Sequence, residues 1–156
     1  MYTDEWVSFI DHLTTRPGMW VGSANYDLIV TFLNGYNHAR GGAMLAGFHE
    51  WLEMRFGRGH SLAWPALIRY ETLGYPDDQN ETDTDGDDKL LSVLRDLLTE
   101  YFRHRKTIGL RNVYYDHGKW IRQFDWFNEN VERYGSSDGP RKTEPSVGHG
   151  AADDAV

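Results

Sequence analysis

Apolar side chains recur at every third or fourth position through most of this chain, which is the period of an α-helix with one buried face. The pattern is clearest in residues 6–13, 28–36, 45–56, 65–68 and 90–102. Helices that bury such faces against one another form a bundle around a single core. The pattern therefore predicts an all-α, single-domain bundle of five to six helices within residues 1–134.

Particular residues indicate where these helices begin and end. Thr3 can cap the first helix, and Ser23 or Asn25 can cap the second, because their side-chain oxygens accept hydrogen bonds from free backbone N–H groups. Gly57 can end the third helix in a left-handed conformation, and Pro65 suits the first turn of a short fourth helix. These residues mark the expected breaks between the periodic segments.

Residues 111–122 have two interpretations. Leu110, Val113 and Ile121 keep a helical period, yet the same segment reads as two short strands around the turn Asp116-His117-Gly118. We favour the helix, although a glycine inside it costs about 1 kcal/mol relative to alanine. A small β-hairpin is the alternative.

Two segments depart from the helical pattern. Residues 75–88 are strongly acidic and contain almost nothing that a core would bury, so they are expected to form a mobile loop. Residues 135–156 are rich in Gly, Ser, Pro and Asp and are expected to form a disordered tail. The acidic loop supplies candidate contacts to a basic partner: Asp77, Asp78, Asp83, Asp85, Asp87 and Asp88.

Composition narrows the classes of function. The 156 residues suit one domain, and the absence of cysteine excludes disulfide frameworks, thiolate metal sites and cysteine nucleophiles. The net charge of −8 opposes binding to nucleic-acid phosphates and favours basic proteins as partners. The first five residues lack the pattern of a signal peptide, and no apolar run is long enough to span a membrane, so we expect a cytoplasmic protein.

The most distinctive segment is Arg16-Pro17-Gly18-Met19-Trp20-Val21-Gly22. Pro17 disfavours helix at Arg16, the glycines permit positive φ, and Trp20 is too apolar for a solvated loop. An ordered turn with Trp20 folded against a core is expected.

The run resembles the Arg-Pro-Gly-Met-(aromatic)-(aliphatic)-Gly signature of the DNA gyrase and type II topoisomerase ATPase domain. In that family the signature lies near a nucleotide site, before a helix with a magnesium-binding Asn.

The remainder of that family's pattern is missing. Residues 33–39 contain Asn34 and Asn37, and they follow the RPGMWVG run at a distance similar to, but somewhat shorter than, that of the family's Asn helix. They lack the acidic catalytic residue that the family carries on this helix. Asp85-Gly86 and Asp138-Gly139 lack the second glycine of the adenine-binding element, and no glycine-rich phosphate lid is present. The longer order RPGMWVG, LNGY and GFHEWL looks like a group of small acidic uncharacterised bacterial proteins. This second resemblance implies a shared fold and no particular reaction.

Two runs begin like metal sites but lack a required ligand. Glu81-x-Asp83-x-Asp85-Gly86 resembles the start of an EF-hand, but the twelfth position is Ser92 where a bidentate Glu is needed. His49-Glu50-Trp51-Leu52-Glu53 begins like the zinc-protease helix, but Glu53 stands where the second histidine belongs. The sequence therefore predicts no metal, no cofactor and no catalytic residues.

The abundance of aromatic residues points to binding. Six Trp, nine Tyr and seven Phe exceed what one core of this size needs, and interfaces are enriched in Trp and Tyr. The leading hypothesis is a non-enzymatic, cytoplasmic protein-binding module that recognises a basic protein. An immunity-type protein that neutralises a toxin is a concrete version, with no nucleic acid or membrane as partner.

The alternative hypothesis is a small-molecule or nucleotide-binding protein that uses the turn. In this interpretation Arg16 would hold an anion and Trp20 would stack on a ring. Asn34, Asn37 and His38 would complete the site from the following helix. A structural homodimer is a third interpretation.

Overall fold

A computed structural model describes residues 2–57, 61–74 and 84–134. These residues form eight helices and contain no strand, which confirms the all-α prediction. The helices are α1 (Tyr2–Thr15), α2 (Gly18–Val21), α3 (Tyr26–Ala39), α4 (Phe48–Phe56), α5 (Trp64–Leu73), α6 (Thr84–Ile108), α7 (Leu110–Ile121) and α8 (Asp125–Tyr134). The number exceeds the expected five to six, partly because α2 is a single turn.

The chain divides into two compact units, Met1–Gln123 and Phe124–Val156. In the first unit, the long helix α6 contacts α1, α3, α4, α5 and α7. Its apolar side lies in the core beside side chains from all these helices. In the second unit, the rings of Phe124, Trp126 and Phe127 contact one another at the start of α8.

Asn25, Gly57 and Pro65 mark helix ends as predicted, whereas the prediction that Thr3 caps the first helix is wrong. The Asn25 side chain accepts a hydrogen bond from Leu28 N–H at 3.0 Å, and Pro65 lies in the first turn of α5. Gly57 ends α4 at a φ of 74°, where its N–H bonds to the Glu53 carbonyl. Thr3 lies inside the first turn of α1, because that helix already begins at Tyr2.

The ambiguous segment is helical: α7 covers Leu110–Ile121, so the hairpin alternative is wrong. Val113 is fully buried on α7, and Gly118 lies within the helix. The helix contacts α4 and α6, and burial of its apolar face against them outweighs the local turn preference.

The loop expected at residues 75–88 ends earlier than predicted. Helix α6 begins at Thr84, so residues 84–88 are helical, while residues 75–83 lie outside the described part of the chain. The Asp87 carboxylate accepts hydrogen bonds from Tyr26 N–H and Asn25 Nδ2, both at 3.1 Å. This contact with the first turn of α3 holds the start of α6, and acidic residues also suit a helix N-terminus. The tail expected at residues 135–156 lies outside the described residues.

Candidate functional site

The RPGMWVG segment forms a compact turn between α1 and α3. Arg16 N–H still bonds to the His12 carbonyl at 3.1 Å, and α1 ends at Thr15. The N–H groups of Trp20 and Val21 both bond to the Pro17 carbonyl at 2.9 Å, which closes the single turn of α2. Gly22 then takes a φ of 83°, a conformation that glycine adopts at little cost. The backbone therefore presents Met19 and Trp20 in a defined position.

Trp20 packs against its neighbours but keeps 43% of its surface exposed. Its ring lies 5.7 Å from the ring of Phe9 on α1 and 5.7 Å from that of Phe32 on α3. Met19 beside it is 78% exposed, and Leu28, one turn before Phe32 on α3, is 46% exposed. We call Phe9, Met19, Trp20, Leu28 and Phe32 the aromatic face. The side chain expected to fold onto a core thus lies at its edge.

Asn34 and Asn37 of the alternative ligand site lie away from the ring of Trp20. Arg16, Asn34 and His38 are exposed, whereas Asn37 is only partly so and its side-chain oxygen accepts a hydrogen bond from Leu45 N–H at 3.0 Å. Asn34 follows Phe32 by two residues, so it projects about 200° around the helix from the side that Trp20 contacts. Asn37 therefore orders the loop after α3, and Asn34 lies on a different side of α3 from the ring that Trp20 contacts.

Of the acidic residues proposed for partner binding, the structure describes those at the start of α6. Asp85, Asp87 and Asp88 lie in the first turns of α6, and Asp87 is used in the contact with α3 described above. Asp88 is exposed. Asp77, Asp78 and Asp83 lie outside the described residues. Within the described residues, Asp88 is thus an exposed charge of this group, while Asp87 stabilises the fold.

One buried polar contact was missed by the sequence analysis. The Glu53 carboxylate on α4 is 5% exposed and lies 2.7 Å from Nε2 of His117 on α7. Nε2 of His49, one turn earlier on α4, lies 3.8 Å from the other carboxylate oxygen. The run His49–Glu53 was considered as an incomplete zinc helix, and only the fold brings in a histidine 64 positions later in the chain. The contact joins α4 to α7.

In the described part of the chain, no group of three or more His, Cys, Asp or Glu residues is arranged to hold a metal ion. In the same residues, no helix combines the length and apolar character needed to cross a bilayer.

An apolar cavity of about 490 Å³ lies beside α5. The hydroxyl of Tyr26 donates to the Pro65 carbonyl at 3.0 Å at its wall, and burial raises the pKa of Tyr26. The Arg69 guanidinium lies over the Tyr26 ring at 5.1 Å and pairs with Asp27 at 2.6 Å. Because both of these charges are already paired, this cavity offers mainly apolar contact.

Comparison with known proteins adds no further assignment. No protein-family model, curated protein or solved structure matches this chain.

Proposed function

We propose that this chain is a non-enzymatic, cytoplasmic module that binds a basic partner protein through the aromatic face. The observation that carries the proposal is the exposure of Met19, Trp20 and Leu28, with Trp20 held by the hydrogen bonds of its turn and by ring contacts with Phe9 and Phe32. An aromatic side chain that is already held in position loses little conformational entropy on binding and can bury a large area. These are the properties of residues that dominate binding energy at protein interfaces.

The charge of the chain supports a basic partner. A net charge of −8 attracts a positively charged protein and repels acidic ones before any contact forms. Long-range attraction raises the association rate, while burial of Trp20 and Met19 would slow dissociation. An immunity-type protein that neutralises a toxin with a basic surface would combine this negative charge with the apolar contacts of Trp20 and Met19.

Protein binding is favoured over a nucleotide site at the turn by the position of Trp20. Its ring lies at an exposed surface against Phe9 and Phe32, and it lines neither the cavity beside α5, nor a groove between α1 and α6, nor a cavity beside the loop after α3. Small-molecule sites are concave and bury most of their ligand. Exposed apolar side chains outside these cavities suit a protein partner better.

The test compares two variants of the full chain. Trp20→Ala removes the centre of the aromatic face, and Tyr115→Ala, at a residue on α7 that is 59% exposed, is the matched control. A partner captured by the unmodified chain is identified by mass spectrometry, purified and measured by surface plasmon resonance, which gives both the affinity and the association rate. We expect Trp20→Ala to weaken binding by about 30-fold or more, Tyr115→Ala to leave it unchanged, and the association rate to fall as salt is raised.

Two outcomes would count against the proposal. Equal affinity of Trp20→Ala and the unmodified chain would remove the aromatic face from the interface. A captured partner that is acidic, or an affinity that rises with salt, would contradict the claim that the negative charge of the chain attracts a basic partner.

A further inference from the structure

A second surface feature lies where the loop between α3 and α4 meets α6. A cavity of about 460 Å³ is lined there by Trp6, Tyr36, Arg40, Ala43, Met44 and Arg105, and we call it the arginine cavity. Its volume falls within the range of small-molecule sites. Its walls combine two aromatic rings, two small or flexible apolar side chains and two guanidinium groups.

Arg105 is held in place by the protein before any ligand arrives. Its Nη1 donates to the carbonyls of Ala43 and Met44 at 2.7 and 3.2 Å, and to that of Ala46 at 3.5 Å. The guanidinium lies 5.2 Å from the Trp6 ring centre. The hydroxyl of Tyr101 also donates to the Ala46 carbonyl, so the loop wraps closely around this end of α6. These bonds to the loop use one of the three guanidinium nitrogens.

Arg40 provides the second charge from the end of α3. Its guanidinium lies 5.5 Å from the ring centre of Tyr36. No carboxylate in the described part of the chain pairs with it. The lining residues of the cavity include no Asp or Glu, so two positive charges share it in a protein whose net charge is −8.

A larger groove between α1 and α6 differs from the arginine cavity in how its charges are balanced. About 750 Å³ in volume, it is lined by three basic and three acidic side chains. Lys106 pairs with Asp4 at 3.3 Å, and Arg95 with Asp96 at 3.4 Å. The protein thus balances basic residues with carboxylates in that groove and leaves them unbalanced in the arginine cavity.

We propose that the arginine cavity binds a small organic anion, a carboxylate or a phosphate monoester with an apolar body. Arg40 and Arg105 hold the anionic oxygens, because guanidinium groups present several N–H donors in a planar fork that matches these groups. Trp6, Tyr36 and Met44 contact the apolar body. The site is separate from the aromatic face, although Tyr36 stacks on Phe9 at 4.4 Å between ring centres and so links the two.

The test titrates the full chain with benzoate, phenyl phosphate and the neutral benzyl alcohol, followed by the NMR signals of the Trp6 indole N–H and the arginine Nε–H groups. We expect saturable shifts with at least one of the two anions and none with benzyl alcohol. The stronger of the two responses identifies the preferred anionic group.

Two substitutions provide the control. Arg40→Gln should weaken binding of the anion by about tenfold, because one charge-assisted contact is lost. Arg111→Gln, at an exposed arginine outside the cavity, should leave the affinity unchanged. Trp20→Ala should bind the anion normally, which separates this proposal from the proposed protein interface. Absence of saturable shifts with both anions, equal binding of benzyl alcohol, or equal losses in the two arginine variants would overturn the inference.

Discussion

Two groups of aromatic side chains in the unit Met1–Gln123 have similar ring contacts but very different exposure. Phe48, Trp51, Tyr101 and Phe102 form a buried aromatic cluster, with neighbouring ring centres 5.3 to 6.1 Å apart. In the aromatic face, Trp20 lies 5.7 Å from each of its two aromatic neighbours and is nevertheless 43% exposed.

The difference comes from what surrounds each group. Side chains of α4 and α6 meet in the buried cluster, and α7 packs against both helices. At the aromatic face, α2 is only four residues long and packs against α3, so the outer side of Trp20 stays open. Contact between rings therefore does not tell an aromatic group that stabilises the fold from one that is available to bind a partner. The extent to which further helices cover the rings does. The predictions below test this distinction.

The largest effect is expected from truncating the centre of the buried cluster. Phe48→Ala removes a fully buried ring that contacts Trp51, Trp64 and Tyr101, so the free energy of unfolding should fall by about 3–5 kcal/mol. Trp20→Ala, which removes a larger but half-exposed ring, should cost only about 1–2 kcal/mol. Urea denaturation followed by circular dichroism measures both. Equal losses would show that the two groups do not differ in the way described.

A substitution at Gly47 tests how tightly the buried cluster is enclosed. Gly47 has a φ of 80°, and an added Cβ would lie 2.8 Å from Leu110 Cδ1 and 3.0 Å from the Tyr101 hydroxyl oxygen. Gly47→Ala should therefore destabilise by about 2–4 kcal/mol, from backbone strain and overpacking together. Gly42→Ala, at a φ of 76° with open space around the new Cβ, should show only the strain, about 1 kcal/mol. If thermal unfolding shows both variants equally affected, the enclosure is looser than the geometry indicates.

The next prediction concerns the buried carboxylate that links α4 to α7. His117→Ala removes the ring 2.7 Å from Glu53, and the unfolding free energy should fall by about 1–3 kcal/mol. His12→Ala, at an exposed histidine on α1, should change it by less than about 0.5 kcal/mol. In a double-mutant cycle with Glu53→Gln, a coupling energy near zero would mean that the contact does not contribute to stability.

The last prediction concerns a loss of stability that begins only above about pH 10. Burial raises the pKa of Tyr101 to about 12 from 10.0, although the nearby Arg105 lowers it, and burial raises the pKa of Tyr26 as well. Because the unfolded chain loses these protons first, stability is fully present below about pH 10 and falls as pH rises toward 12. Each tyrosine contributes a slope of up to about 1.4 kcal/mol per pH unit in that window.

Tyr101→Phe should make this alkaline loss less steep while leaving the contribution of Tyr26 in place. Urea titrations at several pH values between 8 and 12 measure the slope. Tyr115→Phe, at an exposed tyrosine, is the control. An unchanged slope in Tyr101→Phe would show that its hydroxyl ionises equally in the folded and unfolded chain.

Much of the helical framework followed from the sequence, since a buried face repeats every three or four residues and caps are local signals. Gly57 and Pro65 act within a few residues of their own positions and lie where the sequence predicts, and Asn25 is the cap among the two residues, Ser23 and Asn25, that the sequence offers. The start of α6 was misplaced because Asp87 finds its partners at Asn25 and Tyr26, about sixty positions away. An acidic run viewed alone looks like a loop.

The candidate sites depended still more on distant contacts. The sequence drew attention to Trp20 but grouped it with Asn34 and His38, which lie on another side of α3. Arg105 lies in the last turn of α6, where a basic side chain suits the helix C-terminus on local grounds, and it also donates to the carbonyls of the loop after α3. Neither Arg40 nor Arg105 carries a local signal for a shared cavity.

The sequence by itself determined that this chain folds into helices, because periodicity, caps and glycine conformation act over a few residues. Tertiary structure alone decided which aromatic rings are covered, that Glu53 meets His117, and that two arginines share one cavity without a carboxylate. The physical reason is that burial and charge pairing depend on groups brought together from distant parts of the chain.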